Sequence, residues 1–293
     1  MTELPLDKKN GSKIERTGEE SYSGQTASHD PIGPDNPISP INPINQFARV
    51  EQLLGEKNVK KIQSARVAVF GLGAVGSFAV EALARTGIGH LQLVDFDRVD
   101  PSNINRQLFA LHSTIGVEKA SLAVQRVKDI HPGCNISVHR SFINADSLDD
   151  LLDDGFDVVV DAIDGLNSKI NLLVAARQMG LEVVSSMGAG GRTDVSLIRS
   201  GDISETNTCP LARVVRQRLH RRGIYEGIHA VYSTEKPLNK QPYKKQDSVD
   251  ALKDHGRSRP PIGTICWVPG VFGLTIASKA IDIILSGRRA PRP

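Results

Sequence analysis

The sequence predicts an α/β protein with a Rossmann-like, doubly wound, mostly parallel sheet that has helices on both faces. Three observations lead to this fold class. Apolar runs of strand length alternate with segments of helical spacing between residues 66 and 186, as in sheets built with crossover helices. A glycine-rich turn separates the first strand from its helix. Two of the predicted strands end in aspartate, which is typical of nucleotide-binding sheets.

Each predicted element follows from its own residue pattern. Val50, Leu53, Leu54 and Ile62 predict short helical pieces ahead of the sheet. Arg66–Phe70 is the first buried strand, and the helix after the glycine turn ends at Gly87–Gly89. The further predicted strands are His90–Asp95, Ile136–His139, Phe156–Asp161, Glu182–Ser186 and Ala230–Ser233, and the further helices are Lys119–Ile130, Ile170–Met179, a basic helix around Arg213–Arg222 and a C-terminal helix at Gly270–Leu285.

Composition and cysteine content narrow the class of protein. With 39% hydrophobic and 24% charged residues in a chain of 293, we expect a soluble globular protein. No run of about eighteen apolar residues occurs, and the N-terminus lacks the apolar core of a signal peptide. We therefore expect a cytoplasmic location and no membrane partner. Cys134, Cys209 and Cys266 form no CxxC pair, which excludes a four-cysteine zinc site within one chain.

One domain with a tail at each end is expected. Residues 1–42 are rich in Ser, Gly, Pro, Asn and charge. Such a segment buries too little apolar surface to offset the entropy of ordering it, so we predict that it is disordered. Residues 43–286 then form the folded domain, and residues 287–293 form a short second tail.

The formal net charge of +3 is small, but the basic residues are concentrated in the region of about 205–262. Arg213–Arg222 holds five arginines and no acid. This density suits a polyanionic partner, and a solvated helix face followed by a loop is an equally good interpretation of the pattern. A second basic cluster comprises Lys236, Lys240, Lys244 and Lys245.

The glycine-rich turn predicts a phosphate-binding site. Gly71, Gly73 and Gly76 stand in the spacing GxGxxG after a strand and before a helix. The glycines allow a tight turn and close approach of the backbone, and the helix presents free N–H groups to an anion. Asp95 ends the second strand, where it can accept hydrogen bonds from ribose hydroxyls. This pattern alone is equally typical of an NAD-dependent dehydrogenase, and the glycines could also serve packing alone.

The next loop favours ATP over NAD. Asn103, Arg106 and, on the following helix, Lys119 place amide and cationic donors near the acidic strand end. A site that breaks a triphosphate needs such donors, because charge develops on the phosphate oxygens. Asp161 and Asp164 follow a later strand at the same edge of the sheet, and one of them could hold magnesium. Taken singly, the cations could be surface ion pairs, and Asp164 could be a helix cap.

As a set, these residues resemble the ThiF/MoeB/HesA superfamily, which is similar to the adenylation domain of ubiquitin-activating enzymes. The resemblance implies activation of a carboxylate as an acyl adenylate with ATP and Mg²⁺, usually by a homodimer. It implies that Asp95 binds the ribose, that Asn103, Arg106 and Lys119 engage the phosphates, and that Asp164 holds the metal. The motifs that carry it are Gly71–Gly76, Leu93–Asp97, Ser102–Gln107, Lys119 and Asp161–Asp164.

A second set of motifs lies further along the chain: Ser185–Gly191, Asp202–Ile203, Cys209–Val214, Val231–Ser233, Gly263–Ile265 and Val268–Gly270. These motifs resemble one branch of that superfamily, the tRNA threonylcarbamoyladenosine dehydratases. It implies ATP-dependent cyclisation of the modified adenosine 37 of tRNA, with the basic region contacting the tRNA. The family commonly has an arginine before the first Phe of the domain, which reaches the ATP of the partner subunit. Gln46 occupies that position here, and Arg49 is the nearest substitute.

Two other functions remain open from the sequence. One is adenylation of the C-terminus of a sulfur-carrier or ubiquitin-like protein, in which Cys209 would form a thioester. The absence of paired CxxC ligands disfavours it, and a small apolar residue at a turn is the preferred interpretation of Cys209. The other is a nucleotide-binding scaffold that docks a cysteine desulfurase or another sulfur-acceptor protein.

Overall fold

The computed structural model describes residues 45–153, 155–238 and 262–287. Its helices are α1 (Ala48–Leu54), α2 (Glu56–Ser64), α3 (Gly76–Thr86), α4 (Lys119–Ile130), α5 (Ala145–Leu151), α6 (Leu166–Gln178), α7 (Pro210–His220) and α8 (Trp267–Ser286). Its strands are β1 (Arg66–Phe70), β2 (His90–Val94), β3 (Asn135–His139), β4 (Val158–Asp161), β5 (Val183–Ser186), β6 (Ile198–Asp202) and β7 (His229–Ser233).

The strands form one sheet in the order β3-β2-β1-β4-β5-β7-β6. Six neighbouring strands are parallel, and β6 pairs antiparallel with β7 at the edge. The predicted class of sheet is therefore confirmed. The chain passes from β1 to β2 on one side and later to β4 on the other. This reversal of direction is the switch point at which open α/β sheets bind ligands, at the carboxyl ends of the strands.

Helices cover both faces of the sheet because the strands are apolar on both sides. Val67 and Val69 of β1 belong to one buried cluster, and Ala68 and Phe70 belong to the other, as the alternation of side chains along a strand requires. The first cluster includes residues of α3, α4 and α8, and the second includes residues of α5, α6 and α7. The doubly wound arrangement follows from this two-sided burial.

Helix α8 begins three residues earlier than predicted and is apolar through most of its length. By length and composition alone it could span a membrane, but 56% of it is buried inside the protein. Val268, Phe272 and Ile276 belong to the cluster shared with α3. A core helix of a soluble protein meets the same criteria, and the burial of α8 agrees with that interpretation.

Two elements were not predicted, α5 and β6. Several expectations concern segments outside the described residues: the disordered tail at residues 1–42, nearly all of the tail at residues 287–293, and the lysines at positions 240, 244 and 245. Among the members of the second basic cluster, only Lys236 lies within the described part, and it is exposed.

Candidate functional site

The turn after β1 combines two glycines that the packing requires with one that faces open space. Gly71 has a φ of 89°, and a Cβ there would lie 2.7 Å from the carbonyl oxygen of Ala162. A Cβ on Gly76 would overlap the carbonyl of Gly71. A Cβ on Gly73 would meet only the amide nitrogen of Gln107, at 3.7 Å. The turn therefore packs tightly against the end of β4 and leaves room beside Gly73 for a ligand at the N-terminus of α3.

Asp95 is held rigidly at the end of β2. Its side chain is only 8% exposed. One carboxylate oxygen accepts a hydrogen bond from the N–H of Leu72 at 2.6 Å, and the other accepts one from the N–H of Asp97 at 2.8 Å. Burial raises the pKa of Asp95, and the charge of Lys119 opposes that rise. Each oxygen keeps a lone pair that can accept a hydrogen bond from a ribose hydroxyl.

The loop after β2 folds around a short 3-10 turn at Pro101–Asn103. Asp100 caps this turn by accepting a hydrogen bond from the N–H of Ser102 at 2.8 Å, and the buried Asn103 accepts one from the N–H of Asp100 at 3.3 Å. Arg106 is half-buried and donates to the carbonyl of Ser102 at 2.6 Å. Burial lowers the pKa of Arg106, and the nearby carboxylates of Asp164 and Asp100 oppose this. The loop thus brings Arg106 within electrostatic reach of Asp164.

Lys119 stands at the start of α4 with its side chain 7% exposed. Its ammonium donates to Asp97 at 2.8 Å, and its charge also acts on Asp95. Asp97 is half-exposed, at 49%, so an anion entering from solvent could share Lys119 with it. The side chain is positioned, by an ion pair, at the edge of the sheet where the glycine turn opens.

The two aspartates after β4 have different surroundings. Asp161 is fully buried, pairs with the fully buried Lys169 at 2.6 Å, and accepts a hydrogen bond from Ser185 at 2.6 Å. Asp164 is exposed and forms no hydrogen bond or ion pair with any described residue. Asp161 therefore serves the packing of α6 against the sheet, and Asp164 is the carboxylate that remains available to a ligand.

The donor set at this edge fits a magnesium ion that is bound together with phosphates. In the described ranges, no group of three or more His, Cys, Asp or Glu side chains is arranged to hold a metal by itself. Mg²⁺ commonly binds through one or two carboxylates, with waters and substrate phosphates completing its coordination. The free carboxylate of Asp164, near Arg106 and the glycine turn, meets that requirement.

Segments that are distant in sequence close one side of the site. The amide of Asn105 donates to the carbonyl of Thr264 at 3.1 Å. The N–H of Gly191, in the turn after β5, donates to the carbonyl of Gly263 at 2.7 Å. The stretch that leads into α8 therefore joins the loop after β2 to the turn after β5, and it forms part of the same edge of the sheet.

Cys209 is buried at the N-terminus of α7, beside a buried arginine. Its side chain is 2% exposed. A Cβ on Gly188 would lie 3.7 Å from the sulfur of Cys209 and 3.4 Å from Nη1 of Arg192. Arg192 is 3% exposed and donates to the carbonyls of Gly188 and Gly190. This burial agrees with the interpretation of Cys209 as a small apolar residue at a turn.

Arg49 lies far from the site of its own chain. It is exposed on α1, and the preceding Phe47 packs against Gly87 and against the ring of His131 at 4.9 Å. Gly87 ends α3, whose start carries the glycine turn. The eleven residues of α3 separate the two ends by about 16 Å. Gln46 contacts His131 at 3.3 Å at the same remote end.

Most residues expected in the site converge at one edge of the sheet, and the exception is Arg49. Asp97, Gln107 and Lys169 were not predicted to have roles. Asp97 and Gln107 each end one of the sequence motifs, and this position was the signal that could have identified them. Lys169 carried no signal, because a single lysine in a helix is normally exposed. The residues that converge are Gly71, Gly73, Gly76, Asp95, Asn103, Arg106, Lys119 and Asp164.

Comparison of the sequence with family models and with known proteins identifies the same family. The model of the ThiF family matches residues 46–292. A relative from Bacillus subtilis, tRNA threonylcarbamoyladenosine dehydratase, is 38% identical over 241 residues, which cover 82% of this chain and 94% of that protein.

Solved structures agree with the sequence comparison. The structure of Escherichia coli tRNA N6-threonylcarbamoyladenosine dehydratase, TcdA, in complex with ATP has a TM-score of 0.72 and 32% identity, over 83% of this chain and 94% of that one. The complex of the same enzyme with AMP has a TM-score of 0.73, with 83% and 95% covered.

Proposed function

The chain belongs to the ThiF family, and we propose that it is an ATP-dependent tRNA threonylcarbamoyladenosine dehydratase acting at position 37 of tRNA in the cytoplasm. The observation that carries this proposal is the extent of the similarity. It is not confined to the nucleotide-binding half between β1 and β4, because the alignment with the Bacillus subtilis enzyme covers 82% of this chain. The family match runs from residue 46 to residue 292, so it also includes the turn after β5, α7 and α8.

The geometry supports a route of two steps, adenylation and ring closure. The carboxylate of the threonylcarbamoyl group attacks the α-phosphorus of ATP, and pyrophosphate leaves. A nitrogen or oxygen of the same ureido group then attacks the activated carbonyl carbon. AMP leaves with the former carboxylate oxygen, a proton is lost, and the net change is the removal of one water from the nucleoside.

Each residue of the edge has a proposed role in that route. Asp95 binds the ribose hydroxyls, the glycine turn and Asn103 contact the phosphates, and Arg106 and Lys119 stabilise the charge that develops on the phosphate oxygens. Asp164 holds a magnesium ion, which neutralises phosphate charge when it is bound. Positioning and electrostatic stabilisation supply the catalysis, because the reacting groups belong to one substrate.

Arg49 cannot serve its own chain's site from the far end of α3, so its proposed role requires a second copy. A homodimer would bring Arg49 of each subunit to the phosphates bound by the other.

The test is nucleoside mass spectrometry on tRNA that carries threonylcarbamoyladenosine, incubated with the protein, ATP and Mg²⁺. We expect loss of one water from that nucleoside, dependent on ATP. If the nucleoside remains intact while a carrier-protein C-terminus stimulates exchange of pyrophosphate into ATP, the substrate assignment is wrong.

The Cys209→Ala variant separates the two enzyme classes further. We expect this variant to keep its activity on tRNA, because ring closure needs no thioester and the thiol is buried. Loss of activity together with an intact fold would favour the carrier-protein route. Unchanged activity of Asp164→Ala in cells would favour the scaffold that docks a sulfur-acceptor partner.

A further inference from the structure

The arginines of α7 and the turn after it have no anionic partner among the residues that the structure describes. No ion pair forms at these positions within the described part of the chain. Five arginines elsewhere on the surface are paired: Arg66, Arg85, Arg98, Arg126 and Arg140 each lie within 3 Å of a carboxylate. The unpaired arginines are Arg213, Arg216, Arg218, Arg221 and Arg222.

These arginines divide into anchored and free side chains. Arg216 donates to Thr206, and Arg218 donates to Asn167 at 2.6 Å. Arg213 is exposed on α7, and Arg221 is exposed directly after the last residue of that helix. Arg222 is also exposed, and its guanidinium reaches the carbonyl of Arg218 at 3.2 Å. The outer face of α7 and the turn after it therefore present positive charge that no described residue neutralises.

An exposed aromatic pair stands at the end of this face. The rings of His220 and Tyr225 lie 5.0 Å apart at an angle of 41°. Tyr225 is 61% exposed, although a large amphipathic ring of this kind is usually half-covered. An exposed ring among free arginines is the arrangement by which proteins hold single-stranded nucleic acid, with bases stacked on rings and phosphates held by cations.

The arginine face is joined to the candidate site. Arg218 contacts Asn167 in the first turn of α6, and Asn167 follows Asp164 by three residues. Three residues span at most about 11 Å of chain. A substrate that lies on the end of α7 can therefore extend to the edge of the sheet where Asp164 and Arg106 stand.

We propose that the His220–Tyr225 pair is a stacking platform for an unpaired base of the tRNA anticodon loop, and that Arg213, Arg221 and Arg222 bind the neighbouring phosphates. This proposal rests on the proposed function and specifies how that substrate is held. An acidic protein would also neutralise the arginines, but it would leave the exposed rings without a flat partner. The combination of free cations and exposed rings favours RNA.

The test uses the full chain with tRNA that carries threonylcarbamoyladenosine, and it compares Tyr225→Ala with Tyr225→Phe. We expect Tyr225→Ala to raise KM for tRNA about tenfold with little change in kcat, since stacking on one ring is worth about 1–3 kcal/mol. Tyr225→Phe keeps the ring and should stay within about twofold of the wild type. Tyr225→Phe is therefore the matched control for Tyr225→Ala.

Two further measurements separate stacking from charge. An anticodon stem-loop with 2-aminopurine in the loop should lose fluorescence on binding to the wild type, and it should keep its fluorescence with Tyr225→Ala. The double variant Arg213→Gln/Arg221→Gln should reduce the slope of log Kd against log salt concentration by about one for each arginine. Arg85→Gln, which removes a paired arginine on α3, should leave the slope unchanged.

The possible failures are distinguishable. Wild-type dehydration of tRNA combined with an unchanged KM in Tyr225→Ala would overturn the stacking platform and leave the proposed function intact. No tRNA binding and no loss of water by the wild type would overturn the proposed function itself. If Tyr225→Ala weakened binding of polyglutamate and left tRNA binding unchanged, the face would belong to an acidic protein partner.

Discussion

Asp161 and Asp164 are three residues apart at the end of β4, and burial separates their roles. Asp161 is enclosed with Lys169, so removing its charge leaves a buried ammonium without its partner. Asp164 faces solvent without a partner among the described residues. A pattern of two aspartates after a strand cannot distinguish these cases, because the lysine that neutralises Asp161 comes from the next helix.

The variants Asp161→Asn and Asp164→Asn should therefore affect different properties, the first stability and the second activity. Asp161→Asn should lower the free energy of unfolding by about 3–5 kcal/mol, as the loss of one partner of a buried ion pair does. Asp164→Asn should change it by less than about 0.5 kcal/mol, as exposed substitutions do, and should abolish dehydration of tRNA. Urea unfolding monitored by circular dichroism gives the first quantity. Equal destabilisation by both variants would contradict this division of roles.

The glycine turn shows the same division within a single element. Gly71 and Gly76 are fixed by backbone contacts with Ala162 and with each other. Gly73 has no such contact and does not have a positive φ, so it is free to serve a ligand. The GxGxxG spacing predicts the turn, but only the packing shows which glycine faces the crevice.

Gly73→Ala and Gly76→Ala test this division. Gly76→Ala should yield little folded protein, because its Cβ would overlap the backbone of Gly71. Gly73→Ala should fold and be as stable as the wild type or more stable, by up to about 1 kcal/mol, because alanine restricts the unfolded chain. Its affinity for ATP should fall at least tenfold, since the methyl group takes space that the phosphates need. Thermal unfolding and calorimetric titration with ATP measure the two effects, and unchanged ATP affinity would contradict the role of Gly73.

The elements that local pattern could predict are those whose apolar residues face the core. β1 and α4 have the predicted bounds because both are apolar in a regular spacing. β6 reads Ile-Arg-Ser-Gly-Asp and lies half-exposed at the antiparallel edge, so its residues carry little strand signal. α5 is short and acidic, with only Leu148 and Leu151 as buried side chains that the structure describes. Tertiary pairing determines both elements, and local propensity does not.

At the scale of the whole molecule, topology explains why distant motifs form one site. Parallel strands bring their carboxyl ends to one edge, so Asp95 and Asp164 could be placed there from sequence alone. The contact of Asn105 with Thr264 could not be predicted, because 159 residues separate the two positions. The position of Arg49 could not be predicted from the sequence either, since it depends on where α1 packs against the ends of α3 and α4.

That position leads to a prediction about the assembly. If Arg49 acts in the site of a partner subunit, Arg49→Ala and Asp164→Ala subunits should each be inactive as homodimers. In a mixed dimer, the subunit with an intact Asp164 receives Arg49 from the other, which gives one working site. Equal mixing with full exchange should therefore restore about a quarter of wild-type activity, because half of the dimers are mixed and each has one of two sites.

Activity of the mixture is measured by loss of water from threonylcarbamoyladenosine after the subunits have exchanged. A double variant that carries both substitutions, mixed with wild type, is the matched control. Each site of that mixed dimer lacks one of the two residues, so mixing should give activity only from wild-type dimers. No recovery with the single variants would place Arg49 outside the partner's site, and full activity of Arg49→Ala alone would remove it from catalysis. Recovery is the expected result, because about 16 Å of α3 separates α1 from the glycine turn of its own chain.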